Sequence, residues 1–310
     1  MNALPFDKPG RFYRGNLHMH STNSDGLRTP EETLAAYRAQ GYDFVSLTDH
    51  FLPKDGIEPI VSRTDHLRTD DFTTIPGAEI HGHGMENGDL WHLVANGLPP
   101  DFPWLGPVET GPEIAARTFA AGAYVSIAHP AWNAASIVDA ETLVQHVHAV
   151  EVYNHGCAVE VDRGEGWPFA DLLLAKSHRL HAIATDDAHN NYPGPPELDA
   201  YGGWVQVKSE SLEPESLLAA LKVGHFYSST GPELHDVRID GDHIHIACSP
   251  VEFITVTGLG SRSQRLMPGP LDGGTLPLNV NDFRAGCYCR VSVVAANGTR
   301  AWTNPIWLDE

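Results

Sequence analysis

The chain has 310 residues, 42% hydrophobic and 19% charged, with a formal net charge of −20 when histidines are neutral. That length suits one large domain and a small one, and so acidic a balance argues against nucleic acid or anionic membrane as a main partner. No apolar run approaches the roughly 20 residues that span a bilayer, and Met1 to Arg14 lacks the apolar stretch of a signal peptide, so a cytoplasmic protein acting on a small molecule is expected.

Between residues 15 and 230 short apolar strands alternate with helical stretches. Strands are expected at 16–20, 44–48, 74–80, 92–96, 124–128, 150–153, 181–185 and 204–207. The first helix opens at Thr29-Pro30-Glu31-Glu32, where Thr29 caps, Pro30 suits the first turn and Glu32 completes a capping box; Gly41 stops it. Further helices are expected at 112–121, 169–175 and 214–223. The alternation predicts a parallel α/β arrangement, closed or distorted as a barrel. After Gly231-Pro232 the pattern changes. Val237 to Asp240 and His243 to Ile246 alternate around Gly241-Asp242, a hairpin signal, and strand-like runs continue at 253–257, 288–294 and 301–308. The expected division is an α/β domain over 1–230 and a small all-β sandwich over 231–310.

Four cysteines are present. Cys287 and Cys289 are two apart on a strand pattern, too close for an unstrained bridge, and Cys157 and Cys248 stand alone, so reduced structural thiols with no part in a metal site are expected.

The chemistry lies at the strand ends. His18 and His20 are two apart on a strand pattern, so both imidazoles leave one face and can share an ion. Asp25 follows in the turn Ser24-Asp25-Gly26. Asp49 and His50 close the next strand, Glu79 the third, and His129 precedes Pro130 after an apolar run. Asp187 and His189 end the run at 181–185. His92 lies in the strand Trp91-His92-Leu93-Val94, with His81 and His83 as competitors. Ligands for several ions gathered at one mouth are the expectation. Other histidines fit plain structural roles: His243 and His245 in a strand, His146 and His148 at the surface. Trp132 and Trp167 are candidates to wall a pocket, with core packing as the default.

The combination Leu17-His18-Met19-His20, Ser24-Asp25-Gly26, Thr48-Asp49-His50, Gly77-Ala78-Glu79, His129-Pro130, Glu151-Val152-Tyr153-Asn154 and Asp187-Ala188-His189 resembles the PHP (polymerase and histidinol phosphatase) domain over roughly residues 12–230. The resemblance implies a distorted (β/α)7 barrel holding two or three divalent ions (Mn, Fe or Zn). His18, His20, Glu79 and Asp187 would hold the first, Asp25, His50 and His189 the second, and Glu79, His92 and His129 the third. Asp25 stands where many relatives carry histidine, which tilts that site toward a harder ion. The segment Phe226 to Pro232 and the ending Ala301 to Trp307 resemble a branch with an appended β domain that includes carbaryl-hydrolase-like proteins.

The expected activity is hydrolysis of small phosphoesters, mono-, cyclic or diesters, by a metal-bridging hydroxide. A carboxylester or carbamate hydrolase on the same centre is the alternative, and a catalytically silent metal-binding module a third reading. Glu79 and Asp187 are the catalytic carboxylates in this scheme, His155 the candidate proton donor to the leaving group, and Arg28 the candidate phosphate contact. Asp49 is expected to support a ligand from behind and Asp186 to be structural.

Overall fold

A computed structural model describes residues 4–106, 108–192, 195, 197–278, 283 and 288–308. The N-terminal strands are β1 (Arg11–Asn16), β2 (Phe44–Leu47), β3 (Thr73–Gly82), β4 (Trp91–Asn96), β5 (Tyr124–Ile127), β6 (Ala149–Asn154), β7 (His181–Thr185), β8 (Trp204–Ser209) and β9 (Phe226–Ser229). Between them lie α1 (Pro30–Ala39), α2 (Gly111–Ala120), α3 (Ile137–Glu141), α4 (His155–Val161), α5 (Trp167–Ala175) and α6 (Pro214–Lys222). The remaining strands are β10 (Leu234–Asp240), β11 (His243–Val251), β12 (Phe253–Gly258), β13 (Ser263–Leu266), β14 (Leu271–Pro277), β15 (Tyr288–Val294), β16 (Arg300–Thr303) and β17 (Ile306–Trp307).

Local chemistry accounts for much of this. In α1 the Thr29 hydroxyl accepts from the Glu32 N–H (3.2 Å) while the Glu32 carboxylate accepts from the Thr29 N–H (3.0 Å). Thr110 and Glu113 form the same box at α2. Each box satisfies two N–H groups that a helix start leaves open. The strands β2 and β5 are buried at every position, as strands covered on both faces should be.

One large sheet runs β13-β12-β15-β16-β9-β8-β1-β2-β3-β4-β5-β6-β7, and β17 pairs with β15. The pairs β1–β2, β2–β3, β5–β6 and β6–β7 are parallel; β3–β4, β4–β5, β1–β8 and β8–β9 are antiparallel. Beyond the strand ends, Met19 bridges Ala188: the His20 N–H donates to the Ala188 carbonyl (2.9 Å) and the Asp187 N–H to the His18 carbonyl (2.8 Å). A second sheet, β10-β11-β14, places Val237, Ile244 and Ile246 in one core with Ile254, Val256, Val291 and Val293.

The first strand lies earlier than its local pattern suggests, at Arg11–Asn16 and not 16–20. Pairing with β8, from Arg11 opposite Ser209 to Gly15 opposite Val205, decides this. At Gly15 any Cβ would stand 2.1 Å from the Phe44 ring, so the close approach of β1 to β2 requires glycine. The described cysteines Cys157, Cys248 and Cys289 are free and buried; Cys287 lies outside the described residues. Among the described residues no helix is long and apolar enough to cross a membrane. His148 is corrected from surface to half-buried: its ring stacks on Phe119 and Tyr124, and its Nδ1 accepts from the Val125 N–H.

Candidate metal centre

The turn after β1 brings Asp25 back over His20. The Gly26 N–H donates to the Ser21 carbonyl (2.9 Å), and a Cβ on Gly26 would stand 2.8 Å from the backbone of His20 and Ser21. Asp25 Oδ2 lies 3.4 Å from His50 Nε2 and Asp25 Oδ1 3.4 Å from His189 Nε2. His20 completes this group, with ligand atoms all within 4.8 Å of one another.

Deeper in, the two ring nitrogens His18 Nε2 and His20 Nε2 are 3.3 Å apart, and Asp187 Oδ1 stands 3.1 and 3.0 Å from them. Glu79, 1% exposed, separates its two oxygens between different partners. Oε1 is 2.8 Å from His92 Nδ1 and 3.2 Å from His129 Nε2; Oε2 is 2.6 Å from His50 Nδ1. His18, His129 and Asp187 form one further group, and Glu79, His92 and His129 another. The ligands expected from the strand ends therefore lie together. His129 (φ 24°) and Asp187 (φ 57°) both hold left-handed backbone, a strained choice for non-glycine residues that the surrounding hydrogen bonds maintain.

The residues fit a cationic group. Glu79 Oε2 and His50 Nδ1 are buried, and neither makes a geometrically sound hydrogen bond despite their short separation. Such atoms are costly unless something charged and unseen by this pair satisfies them. Burial alone would lower His50, yet Glu79 and Asp25 outweigh it and raise the ring to about 10. His189 rises to about 9 against burial through Asp25 and Asp187. His20 is pushed down to about 4, by burial first and then by His189 and His50. Burial would raise Glu79, but the surrounding imidazoles hold it well below the usual carboxylate range.

Glu151 organises the layer behind the ligands, a role its place in the sequence did not reveal. Its Oε1 accepts from His18 Nδ1 (2.7 Å) and the Thr185 hydroxyl (2.8 Å), its Oε2 from the His129 N–H (2.8 Å) and Asn154 Nδ2 (2.9 Å). A carboxylate there forces the proton onto His18 Nδ1 and leaves Nε2 as the donor to an ion. Asp49 acts one step back on His20. It accepts from Ser21, Ser24 and Ser62, and the Ser24 hydroxyl lies 3.3 Å from His20 Nδ1. Asp186 is structural: it accepts from Asn16, Tyr37 and the N–H groups of Tyr201, Gly202 and Gly203. Burial nevertheless pushes its carboxyl up to about 7.

An open cavity of about 280 Å³ covers the centre, lined by the candidate ligands other than His18 and His20 and by Trp132, Gly156, Cys157, Glu160, Asn191 and Tyr192. Trp132 packs edge-on to His129 at 5.2 Å, whereas Trp167 is buried beneath Arg290. Cys157 is closer to the chemistry than expected, with Sγ 3.9 Å from Asp187 Oδ2, but burial keeps it a thiol. Two expectations are corrected. The His155 ring packs where a Cβ on Gly202 would meet it at 2.1 Å, its Nδ1 is 3.0 Å from the Tyr153 hydroxyl, and it does not line the cavity. Starting α4 turns its side chain away while Gly156 and Cys157 face the site. Arg28 pairs with Glu197 at 3.1 Å, and among the described residues no Lys or Arg lines the cavity.

The fold and the site's geometry can be set beside known structures. One solved two-domain protein, from Bacteroides vulgatus and containing a predicted PHP-like metal-dependent phosphoesterase, aligns over 99% of both chains at 17% identity and a TM-score of 0.56. The chain shares the fold of that two-domain protein. Weaker likenesses are PsfC from Pseudomonas syringae (15% identity, 70% of this chain and 91% of that one, TM-score 0.44) and an amidohydrolase from Chromobacterium violaceum (16%, 56% and 87%, TM-score 0.41). No protein-family model and no curated protein matches the chain. In this fold the histidine and carboxylate groups lie just beyond the ends of β1, β2, β5 and β7, with Glu79 inside β3 and His92 at the start of the antiparallel β4.

Proposed function

We propose that this chain is a metal-dependent hydrolase cleaving small-molecule phosphoesters, mono-, cyclic or diesters, at a centre of two or three divalent ions. The observation that carries the reading is the convergence of imidazoles and carboxylates on both oxygens of Glu79 at the floor of an open cavity. His18, His20, Glu79 and Asp187 would hold one ion, Asp25, His50 and His189 a second, and Glu79, His92 and His129 a third. The donors are nitrogen and oxygen only, which suits Mn²⁺, Fe²⁺ or Zn²⁺. Such ions lower the pKa of bound water and neutralise charge on a phosphoryl group.

The chain's own residues supply orientation. Glu151 and Asp49 fix the rings of His18 and His20. Trp132 walls the cavity beside His92 and His129. Tyr192 lines the cavity, and burial and then Glu160 push its hydroxyl up, so it keeps its proton at neutral pH. The related fold of a protein described as containing a phosphoesterase supports the substrate class. We assign 1–230 as a distorted (β/α)7 barrel and 231–310 as an accessory β domain.

One observation favours a second reading, hydrolysis of carboxylic or carbamic esters: among the described residues no Lys or Arg lines the cavity, and Trp132 gives it an aromatic wall. The test pairs aryl phosphate mono- and diesters with the acetate and carbamate of the same phenol, on protein loaded with Mn²⁺ or Zn²⁺. Turnover of the phosphates, lost in Glu79→Ala, is the expected result. Turnover of the carbon esters alone would replace it with the second reading.

A further inference from the structure

The antiparallel pairing of β3 with β4 brings one more imidazole to the centre than the PHP resemblance assigns. Glu79 and His81 are two apart on β3, so their side chains leave the same face, and His81 stands opposite His92 in the register. The His81 side chain is 4% exposed, its Nδ1 has no hydrogen-bond partner, and its Nε2 is 3.9 Å from Glu79 Oε2. Its ring lies 4.2 Å from that of His92 and 4.8 Å from that of His50. It is walled in by ligands and hydrogen-bonded to none of them. His83, two residues further, is exposed and belongs to no such group.

The two oxygens of Glu79 explain where His81 acts. Oε1 is taken by His92 and His129. On the Oε2 side, His50 Nδ1 and His81 Nε2 complete a separate group whose atoms all lie within 4.8 Å of one another. Two donors about 2.1 Å from one ion stand at most about 4.2 Å apart, and the 2.6 and 3.9 Å that separate Glu79 Oε2 from His50 Nδ1 and His81 Nε2 fall within that reach. We propose that His81 is an additional metal ligand of this centre, holding a divalent cation together with Glu79 Oε2 and His50 Nδ1, with His50 then serving this ion and not the one beside Asp25 and His189. His81 thus adds to His92 and does not compete with it. The proposal rests on the metal-centre reading above.

The test is diffraction from crystals of the full chain loaded with Zn²⁺, with anomalous data at the zinc edge, alongside zinc titrations of wild type, His81→Ala, His81→Asn and His83→Ala against a chelator of known affinity. The expected result is a zinc peak at about 2.1 Å from a His81 ring nitrogen. In solution, His81→Ala and His81→Asn lose one zinc equivalent or bind one about tenfold or more weakly, and His83→Ala matches wild type. Zinc peaks at the other ligands with none in bonding range of His81 would overturn His81 ligation alone. A wild-type chain that takes up no zinc, manganese or iron would overturn the metal-centre reading and this proposal with it. The diffraction arm stays decisive even where the His81 variants fail to fold.

Discussion

Glu79 touches both sides of the centre, so its replacement tests the site at its middle. Glu79→Ala is expected to lower kcat/KM about a thousandfold, close to 4 kcal/mol of transition-state stabilisation, and to reduce the metal counted by elemental analysis. Wild-type rate and metal content in that variant would show that the carboxylate bridges nothing. Glu151 offers a subtler test because it contacts His18 without reaching the cavity. Glu151→Gln presents an amide N–H where a carboxylate stood, which disturbs the His18 tautomer, and metal affinity should fall about 10–100-fold with the fold intact. Unchanged affinity, read by chelator competition, would make Glu151 a packing residue only. The spacing of His18 and His20 and the positions of Glu79, Asp187 and His189 are visible in the sequence because each ends an apolar run. Glu151 was hidden because its value lies in four donors, from the segment after β1, the loop after β5, β6 and β7, three of them more than twenty residues away in the chain.

At the scale of elements, β7 carries a test of acid stability away from the candidate metal centre. His181 is half-buried against Tyr124 and Phe226, and burial, then His148 and His225, push it down to about 4. The unfolded chain takes up a proton near pH 6.5 that the folded chain refuses until about pH 4. Stability from this group is therefore complete above pH 6.5 and falls as the pH drops toward 4, by about 2 kcal/mol at pH 5. Urea unfolding at pH 7.5 and pH 5, in the presence of a chelator, should show a smaller loss for His181→Gln than for wild type; equal losses would remove His181 from the account. The helix starts are a second element-scale feature, and Thr29→Ala should cost about 1 kcal/mol through the lost cap, measured by the same unfolding curves. Capping boxes are readable because all their partners lie within three residues. The bounds of β1 were not readable, because β8, nearly two hundred residues later, sets them.

Across the whole molecule, the large sheet passes from β8 through β9 to β16 without a break, so the α/β part and the later strands share backbone hydrogen bonds. Arg290 on β15 reinforces the join. Its guanidinium lies 3.9 Å from the Trp167 ring centre and makes two bonds to Asp171 on α5, at 3.2 and 2.9 Å. Asp171 is partly exposed, so the ion pair is discounted, and Arg290→Ala should cost about 1–2 kcal/mol, largely from lost stacking. Calorimetry should show one unfolding transition in wild type and in this variant; two resolved transitions would mean that the later strands fold independently of the α/β part.

By itself the sequence determined the alternation of strands and helices, the change of character after Pro232 and the residue types at each strand end. All of these depend on neighbours a few positions apart, through side-chain periodicity, caps and turns. Tertiary structure alone decided that His155 turns away from the cavity, that Arg28 is engaged by Glu197, that His81 stands beside Glu79, and that a single sheet joins the two regions. Those outcomes depend on which distant strands pair and in what register, and a one-residue shift in register sends every side chain of a strand to the opposite face.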